Sequence, residues 1–145
     1  MAPQFATEAG LVDHFVLHLQ APQTPWGEPL RAGTEFYYSR GRADVVGVAV
    51  DGEVIAFEAK LSRWRDALHQ AYRNTCFAHR SYVLLPEDAA QRAAASGEFD
   101  RRGIGICYVS SDGVEVLQEA KRREPLQPWL TEAAAGYVSG PESVR

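Results

Sequence analysis

The sequence predicts a single α/β domain with a mixed central β-sheet and helices on both of its faces. Hydrophobic periodicity and turn residues give the element order helix, three strands, helix, strand, helix, strand, strand. Residues 56–85 form a strand-helix-strand crossover, which makes part of the sheet parallel. The hairpin within residues 45–57 is apolar on both faces, as a sheet between two layers of helices requires.

Each predicted element follows from a local pattern in the chain. Apolar residues at mixed three- and four-residue spacing predict a first helix over residues 5–20, with Thr7 as its N-cap. Helical spacing returns after Lys60 and predicts a second helix that Ser62 caps. Prolines and glycines in residues 21–33 predict an irregular connection. The other expected elements are strands at 35–40, 81–85, 104–109 and 114–117 and helices at 87–98 and 129–137.

Length and composition limit the class of protein. A chain of 145 residues with 46% hydrophobic content fits one globular domain, expected over residues 1–138, with a disordered tail at 139–145. No apolar run approaches the roughly 20 residues of a membrane span, and no signal-peptide pattern is present. Cys76 and Cys107 lack the spacing of a zinc site. We therefore expect a cytoplasmic protein with two reduced core cysteines.

The net charge limits the ways in which the protein could bind nucleic acid. The net charge is −4, which argues against tight, non-specific coating of DNA. It does not exclude a metal-dependent nuclease, whose centre needs acids. Arg63, Arg65 and Arg73 on the second helix are candidates for phosphate contacts, although single helical arginines are also common as solvated charges.

The most informative segment is the hairpin with Asp44 before its first strand and Glu58-Ala59-Lys60 after its second. Opposed residues of an antiparallel pair share a face, so their numbers add to a constant. A two-residue Asp51-Gly52 turn would put Asp44 and Glu58 on opposite faces. A three-residue loop, with a left-handed residue at Gly52, sets Asp44 directly across from Glu58. We expect this longer loop or an equivalent bulge, with Lys60 on the same face.

Three charges near the end of an apolar hairpin are costly to bury without a partner such as a metal ion. The spacing of Asp44, Glu58 and Lys60 resembles the PD-(D/E)xK nuclease superfamily, whose fold is the restriction-endonuclease-like fold. The resemblance covers the element order from about residue 35 to 109. Ala43 stands where the family name has proline, a position that carries no ligand.

The resemblance implies a metal-dependent nuclease that hydrolyses DNA phosphodiester bonds in DNA repair, restriction or phage-related processing. Asp44, Glu58 and the Ala59 carbonyl would bind Mg²⁺, with Mn²⁺ as an alternative. Lys60 would orient or deprotonate the attacking water, or stabilise charge on the phosphate. Partners implied are DNA and a second copy of the chain in a homodimer.

Two further residues are candidates through the same resemblance. Glu8 on the first helix is a candidate fourth metal ligand, although the helix dipole alone favours an acid in that turn. Gln70, ten residues past Lys60, is a candidate for contact with phosphate or water. An exposed helical glutamine without a role in the site is an equally good interpretation.

Two alternatives to an active nuclease stay open. One is a catalytically decayed module on the same fold that binds nucleic acid or protein. The other is an ordinary α/β protein in which Glu58 and Lys60 are a surface pair. The second alternative predicts no cluster of acids in the structure. The first predicts the cluster without metal binding or cleavage.

Overall fold

The computed structural model describes residues 4–139, in which six strands form one sheet with α-helices packed against it. The helices are α1 (Glu8–Leu19), α2 (Trp64–Arg73), α3 (Glu87–Ala95), α4 (Glu98–Arg102) and α5 (Pro128–Val138). The strands are β1 (Arg31–Tyr38), β2 (Gly41–Val48), β3 (Val54–Ala59), β4 (Arg80–Leu84), β5 (Gly105–Ser110) and β6 (Gly113–Gln118).

The sheet is mixed, as predicted. Its spatial order follows the chain from β1 to β6. The β3–β4 and β4–β5 pairs are parallel, and the other three pairs are antiparallel. The α2 crossover between β3 and β4 makes the first parallel pair, which is the connection that the sequence predicted.

Helices cover both faces of the sheet. On one face, Leu11, Phe15 and Leu19 of α1 belong to a buried cluster with Phe57 and Tyr82. On the other face, α2 and α3 pack over β4 and β5, and α5 packs over β1 and β2. The predicted burial of both sheet faces is therefore confirmed.

The β2–β3 hairpin has the register that the longer loop predicts. Val45 pairs with Phe57 and Val48 pairs with Val54, so opposed residue numbers add to 102. The Ala49 carbonyl accepts a hydrogen bond from the Gly52 N–H at 2.9 Å, and Gly52 has φ +91°. A three-residue loop closed by a glycine with positive φ therefore sets the strand register.

Two predicted features were wrong: the start of the first strand and the N-cap of the second helix. The first strand begins at Arg31, not at residue 35, because pairing with β2 from Arg31↔Val48 onward supplies its backbone partners. The second helix begins at Trp64 after Arg63, without a side-chain cap, so Ser62 is not its N-cap. Thr7 does cap α1: its Oγ1 accepts the Gly10 N–H at 3.0 Å.

The helix predicted over residues 87–98 is α3, and a short helix that the sequence analysis did not predict, α4, follows it. Gly97 lies between α3 and α4 with φ +74°, a left-handed conformation that ends the first helix. The chain then turns into the short α4 before β5.

The remaining expectations concern the tail, the cysteines and the membrane. Residues 140–145 of the expected disordered tail lie outside the described residues, while Ser139 is the C-cap residue of α5. Cys76 and Cys107 are free and buried, as predicted. Within residues 4–139, no helix is long and apolar enough to cross a membrane.

Replacing Gly52 with alanine should destabilise the protein by about 1–2 kcal/mol, because a non-glycine residue is strained at this φ. No steric cost adds to it, since an added Cβ would meet nothing within 4 Å. Chemical denaturation measures the change. Gly27→Ala is the matched control, because Gly27 has φ +92° and equal space, and should cost a similar amount. Wild-type stability of Gly52→Ala would contradict the loop conformation.

Candidate active site

The candidate site lies where β2 and β3 separate. Regular pairing ends at Val45 and Phe57. One residue further, Asp44 Oδ2 accepts a hydrogen bond from the Ala59 N–H at 2.9 Å, and Glu58 Oε2 accepts one from the Asp44 N–H at 3.3 Å. The two carboxylates thus replace backbone carbonyls at the point where β2 and β3 separate, which we call the β2–β3 fork. The structure brings Asp44 and Glu58 together, as the register predicted.

The neighbouring strand is interrupted at the same level. The β1–β2 register pairs Thr34 with Val45 and Phe36 with Ala43, and Glu35 lies between them, opposite Asp44. Glu35 has φ 56° and is the only non-glycine residue with positive φ within residues 4–139. Such a conformation costs roughly 1–3 kcal/mol and is commonest at functional sites. Because Glu35 leaves the ladder, the Asp44 N–H is free to bond Glu58.

Glu58 is a buried acid whose ionised form the surroundings disfavour. It is only 2% exposed. Burial, followed by the negative charge of Asp44, raises the pKa of Glu58 to about 7. The opposing influences are smaller: the Asn74 amide donates to Oε2 at 2.8 Å, the Asp44 N–H donates, and Arg73 lies nearby. Tyr38 in turn donates to Asn74 Oδ1 at 2.6 Å, which fixes the amide.

Asn74 is the site residue that the sequence analysis missed. The polar helical residue predicted near the site was Gln70, but no hydrogen bond joins the Gln70 side chain to Glu58 within the described residues. The amide in contact is one turn further on. A signal was present: Ala67, Ala71 and Asn74 lie at i, i+4 and i+7, and all three are buried. A polar residue in a buried helical stripe needs a partner.

Asp44 also belongs to an exposed ion-pair network. Arg42 Nη2 lies 2.9 Å from Asp44 Oδ1, and Arg42 Nη1 lies 3.2 Å from Glu35 Oε1. Both oxygens of Asp44 are therefore engaged, one by Arg42 and the other by the Ala59 N–H. A cation that binds Asp44 must compete with the Arg42 guanidinium.

A cavity of about 350 Å³ opens beside Asp44. Acids from two directions line it: Glu8 and Asp13 from α1, and Glu35 and Asp44 from the sheet, with Arg42 between the last two. Glu8 is thus on the wall of the space next to Asp44, as its candidacy requires. Asp13, an exposed residue of α1, lines the same space.

The donor set is compatible with Mg²⁺ in type and number. Within residues 4–139, no group of three or more His, Cys, Asp or Glu side chains converges on one metal position. Glu8 therefore shares the cavity but does not join Asp44 and Glu58 as a ligand in this conformation. Mg²⁺ commonly uses one or two carboxylates and keeps several waters. Asp44, Glu58 and the Ala59 carbonyl meet that requirement, and burial together with the negative charge of Asp44 raises the pKa of Glu58.

Lys60 follows directly after β3. Its backbone N–H donates to the Leu84 carbonyl at 3.1 Å, which continues the β3–β4 pairing, and its side chain is half-buried. No salt bridge joins the Lys60 ammonium to a carboxylate in the part of the chain that the structure describes. Its predicted role therefore stays a prediction.

The arginines of α2 separate into two kinds. Arg63 and Arg65 are paired with Asp66 at 2.9 Å and with Glu98 at 3.3 Å, so their charges are already balanced on the surface. Arg73, at the other end of the helix, lies close enough to Glu58 for its charge to lower the pKa of that carboxyl.

Comparison with known proteins shows likeness in fold. No protein-family model matches the chain, and no curated protein matches it in sequence. Among solved structures, a protein of unknown function from Silicibacter pomeroyi matches with a TM-score of 0.67 and 18% identity, over 94% of this chain and 86% of that one. A repair endonuclease from Pyrococcus abyssi matches with a TM-score of 0.48 and 16% identity, over 84% and 50% of the two chains.

Replacing Glu58 with glutamine should stabilise the protein at pH 8 but not at pH 4.5. Below its ordinary pKa of 4.5 the carboxyl is protonated whether the chain is folded or not. Between about pH 4.5 and 7 the unfolded chain ionises this carboxyl while the folded protein keeps it protonated, so across this range the wild type loses on the order of 3 kcal/mol that the amide does not lose. Denaturant unfolding at several pH values measures this difference.

Glu132→Gln, on the exposed side of α5, is the matched control. An exposed carboxylate is solvated in the folded and the unfolded chain alike, so the substitution should change stability little at either pH. A pH-independent difference between wild type and Glu58→Gln would contradict the burial of an ionisable Glu58.

Proposed function

We propose that this protein is a metal-dependent nuclease that hydrolyses phosphodiester bonds of DNA, with Asp44 and Glu58 as its metal-binding carboxylates. The observation that carries the proposal is the buried Glu58, bonded to Asp44 where two strands separate. A buried acid with a raised pKa beside a second acid is a typical feature of functional sites. A divalent cation at this position would compensate both charges at once.

The protein side of the chemistry divides among three residues. Asp44 and Glu58 offer hard oxygen ligands, and the main-chain N–H of Ala59 holds the Asp44 carboxylate in place. The Ala59 carbonyl is the third proposed ligand. Mg²⁺, or Mn²⁺ in its place, would activate water and neutralise charge on the scissile phosphate. Glu8, which lines the same cavity as Asp44, would add a ligand through water.

Lys60 is the proposed catalytic cation. It follows Glu58 by two residues. As the ammonium it would orient the attacking water or stabilise the charge that develops on the phosphate, and as the neutral amine it would accept a proton from that water. Gln70 keeps its proposed contact with phosphate or water. Asn74 is a positioning residue, because it acts through Glu58 and not on the substrate.

The ion pair of Arg42 favours a second candidate, a decayed module that binds nucleic acid without cutting it. Arg42 already neutralises Asp44, and no third acid completes a ligand set within residues 4–139. In that case the Arg42 guanidinium occupies the position beside Asp44 that a metal ion would take in an active nuclease. Cleavage assays distinguish the two candidates directly.

We expect Mg²⁺- or Mn²⁺-dependent cleavage of DNA by the wild type and at least a hundredfold slower cleavage by Lys60→Ala, as roughly expected for loss of one acid-base or charge-stabilising group. The assay compares plasmid, branched and single-stranded DNA, with RNA as a further substrate. Unfolding curves should be nearly unchanged, because Lys60 is not a core residue.

Arg92→Ala is the charge-matched control, since it removes one exposed positive charge from α3, away from the β2–β3 fork. It should cut as the wild type does. Wild-type rates for Lys60→Ala would overturn the role of that lysine. Absence of cleavage by the wild type with every substrate and both metals would favour the decayed module.

A further inference from the structure

A second cavity, on the α2 side of the sheet, is rich in positive charge. It has a volume of about 260 Å³, and three arginines reach its wall from separate parts of the chain: Arg40 from the β1–β2 turn, Arg73 from the end of α2, and Arg123 from the segment after β6. We call it the arginine cavity. Tyr72 and Leu126 complete its rim, and both are exposed, at 43% and 82%.

The charge of the arginine cavity is not balanced by carboxylates. In the described residues, neither Arg40, Arg73 nor Arg123 forms a salt bridge. The one acid on the wall, Glu124, is already bonded to Arg122 at 2.9 Å. The chain as a whole has a net charge of −4, so this positive excess is local. Like charges held together favour the binding of an anion.

A fourth guanidinium lies beside the cavity. Arg102 and Arg123 are both placed over the ring of Tyr72, at 5.4 and 5.6 Å from its centroid. The Nε atoms of Arg73 and Arg123 are buried and have no hydrogen-bond partner among residues 4–139. Arg123 Nη2 already donates to the Arg102 carbonyl, so a ligand would use the other guanidinium N–H groups of the cluster. Phosphate oxygens are the acceptors that guanidinium groups match best.

Arg73 connects the arginine cavity to the candidate active site. Its guanidinium packs against the β1–β2 turn, where a Cβ on Gly41 would lie 2.7 Å from Arg73 Nη2. The next residue, Asn74, donates to Glu58. Two consecutive residues at the end of α2 therefore contact the two regions: Arg73 lines the cavity, and Asn74, the C-cap residue, bonds Glu58.

We propose that the arginine cavity binds a phosphate group of a nucleic-acid strand that continues toward Asp44 and Glu58. This inference rests on the proposed function for the identity of the strand as nucleic acid. The exposed Tyr72 and Leu126 favour a strand over free phosphate, because apolar and aromatic side chains beside arginines suit sugars and bases next to the phosphate.

Equilibrium binding without cleavage tests the proposal. Fluorescence anisotropy of a labelled single-stranded DNA, in EDTA and over a range of salt concentrations, compares the wild type with Arg40→Gln/Arg123→Gln. We expect roughly tenfold weaker binding by this variant and a shallower salt dependence, since fewer phosphates are neutralised. Arg92→Gln/Arg101→Gln, which removes equal charge from α3 and α4 outside the cavity, should bind within about twofold of the wild type.

Arg40→Glu provides a second variant in case the double substitution impairs folding, because Arg40 is exposed on a turn. Binding by either folded cavity variant as tight as that of the wild type, or no binding by the wild type, would overturn the proposal. Displacement of the DNA by an equal concentration of inorganic phosphate would assign the cavity to free phosphate instead.

The same experiment separates this inference from the proposed function. Because EDTA removes the metal, binding through the cavity does not depend on catalysis. A wild type that binds DNA through these arginines but never cuts it would overturn the proposed nuclease activity and leave the proposed role of the arginine cavity standing. A cavity variant that binds and cuts DNA as the wild type does would overturn only the proposed role of the arginine cavity.

Discussion

The candidate site depends on the separation of β2 and β3 one residue beyond their last regular pair. At this level β2 also loses its pairing with β1 at Glu35, and the carboxylates of Asp44 and Glu58 accept backbone N–H groups that neighbouring strands would normally pair. The acids are therefore part of the hydrogen bonding of the sheet as well as candidate ligands. Any change of strand register would separate them, so the three-residue loop at Gly52 also fixes the geometry of the site.

The cost of this arrangement is visible in the surrounding residues. Glu35 adopts a left-handed conformation opposite Asp44, and burial raises the pKa of Glu58 to about 7. Local departures from favourable backbone and charge placement are expected where function, and not stability, determines the residues. Arginines partly compensate: Arg42 binds Asp44, and Arg73 lies near Glu58. The positive charge of Arg73 then serves both the acid pair and the arginine cavity.

The hairpin was predictable because its register follows from local turn chemistry. The position of Gly52 and the face shared by Asp44 and Glu58 need only a period-two pattern and one turn residue. The mixed sheet followed in the same way from the crossover through α2. The hairpin register and the mixed sheet were thus predicted from contacts between residues close in sequence, or from the hydrophobic pattern that a buried face requires.

Other features depend on contacts that sequence periodicity does not contain. The Asn74–Glu58 hydrogen bond joins α2 to β3, and its choice over Gln70 depends on how far the helix extends past the site. The start of β1 depends on pairing with β2, and the left-handed Glu35 depends on the interruption of that pairing. The convergence of Arg40, Arg73 and Arg123 likewise requires three distant segments to pack together.

The most direct test of the proposed metal site is a crystal structure of the protein soaked in Mn²⁺, with the ion located by anomalous scattering. We expect one ion in contact with the carboxylates of both Asp44 and Glu58, and the Arg42 guanidinium turned away from Asp44 Oδ1. A well-ordered site with no anomalous peak there, and with Arg42 still bonded to Asp44, would contradict a metal-binding role for the pair.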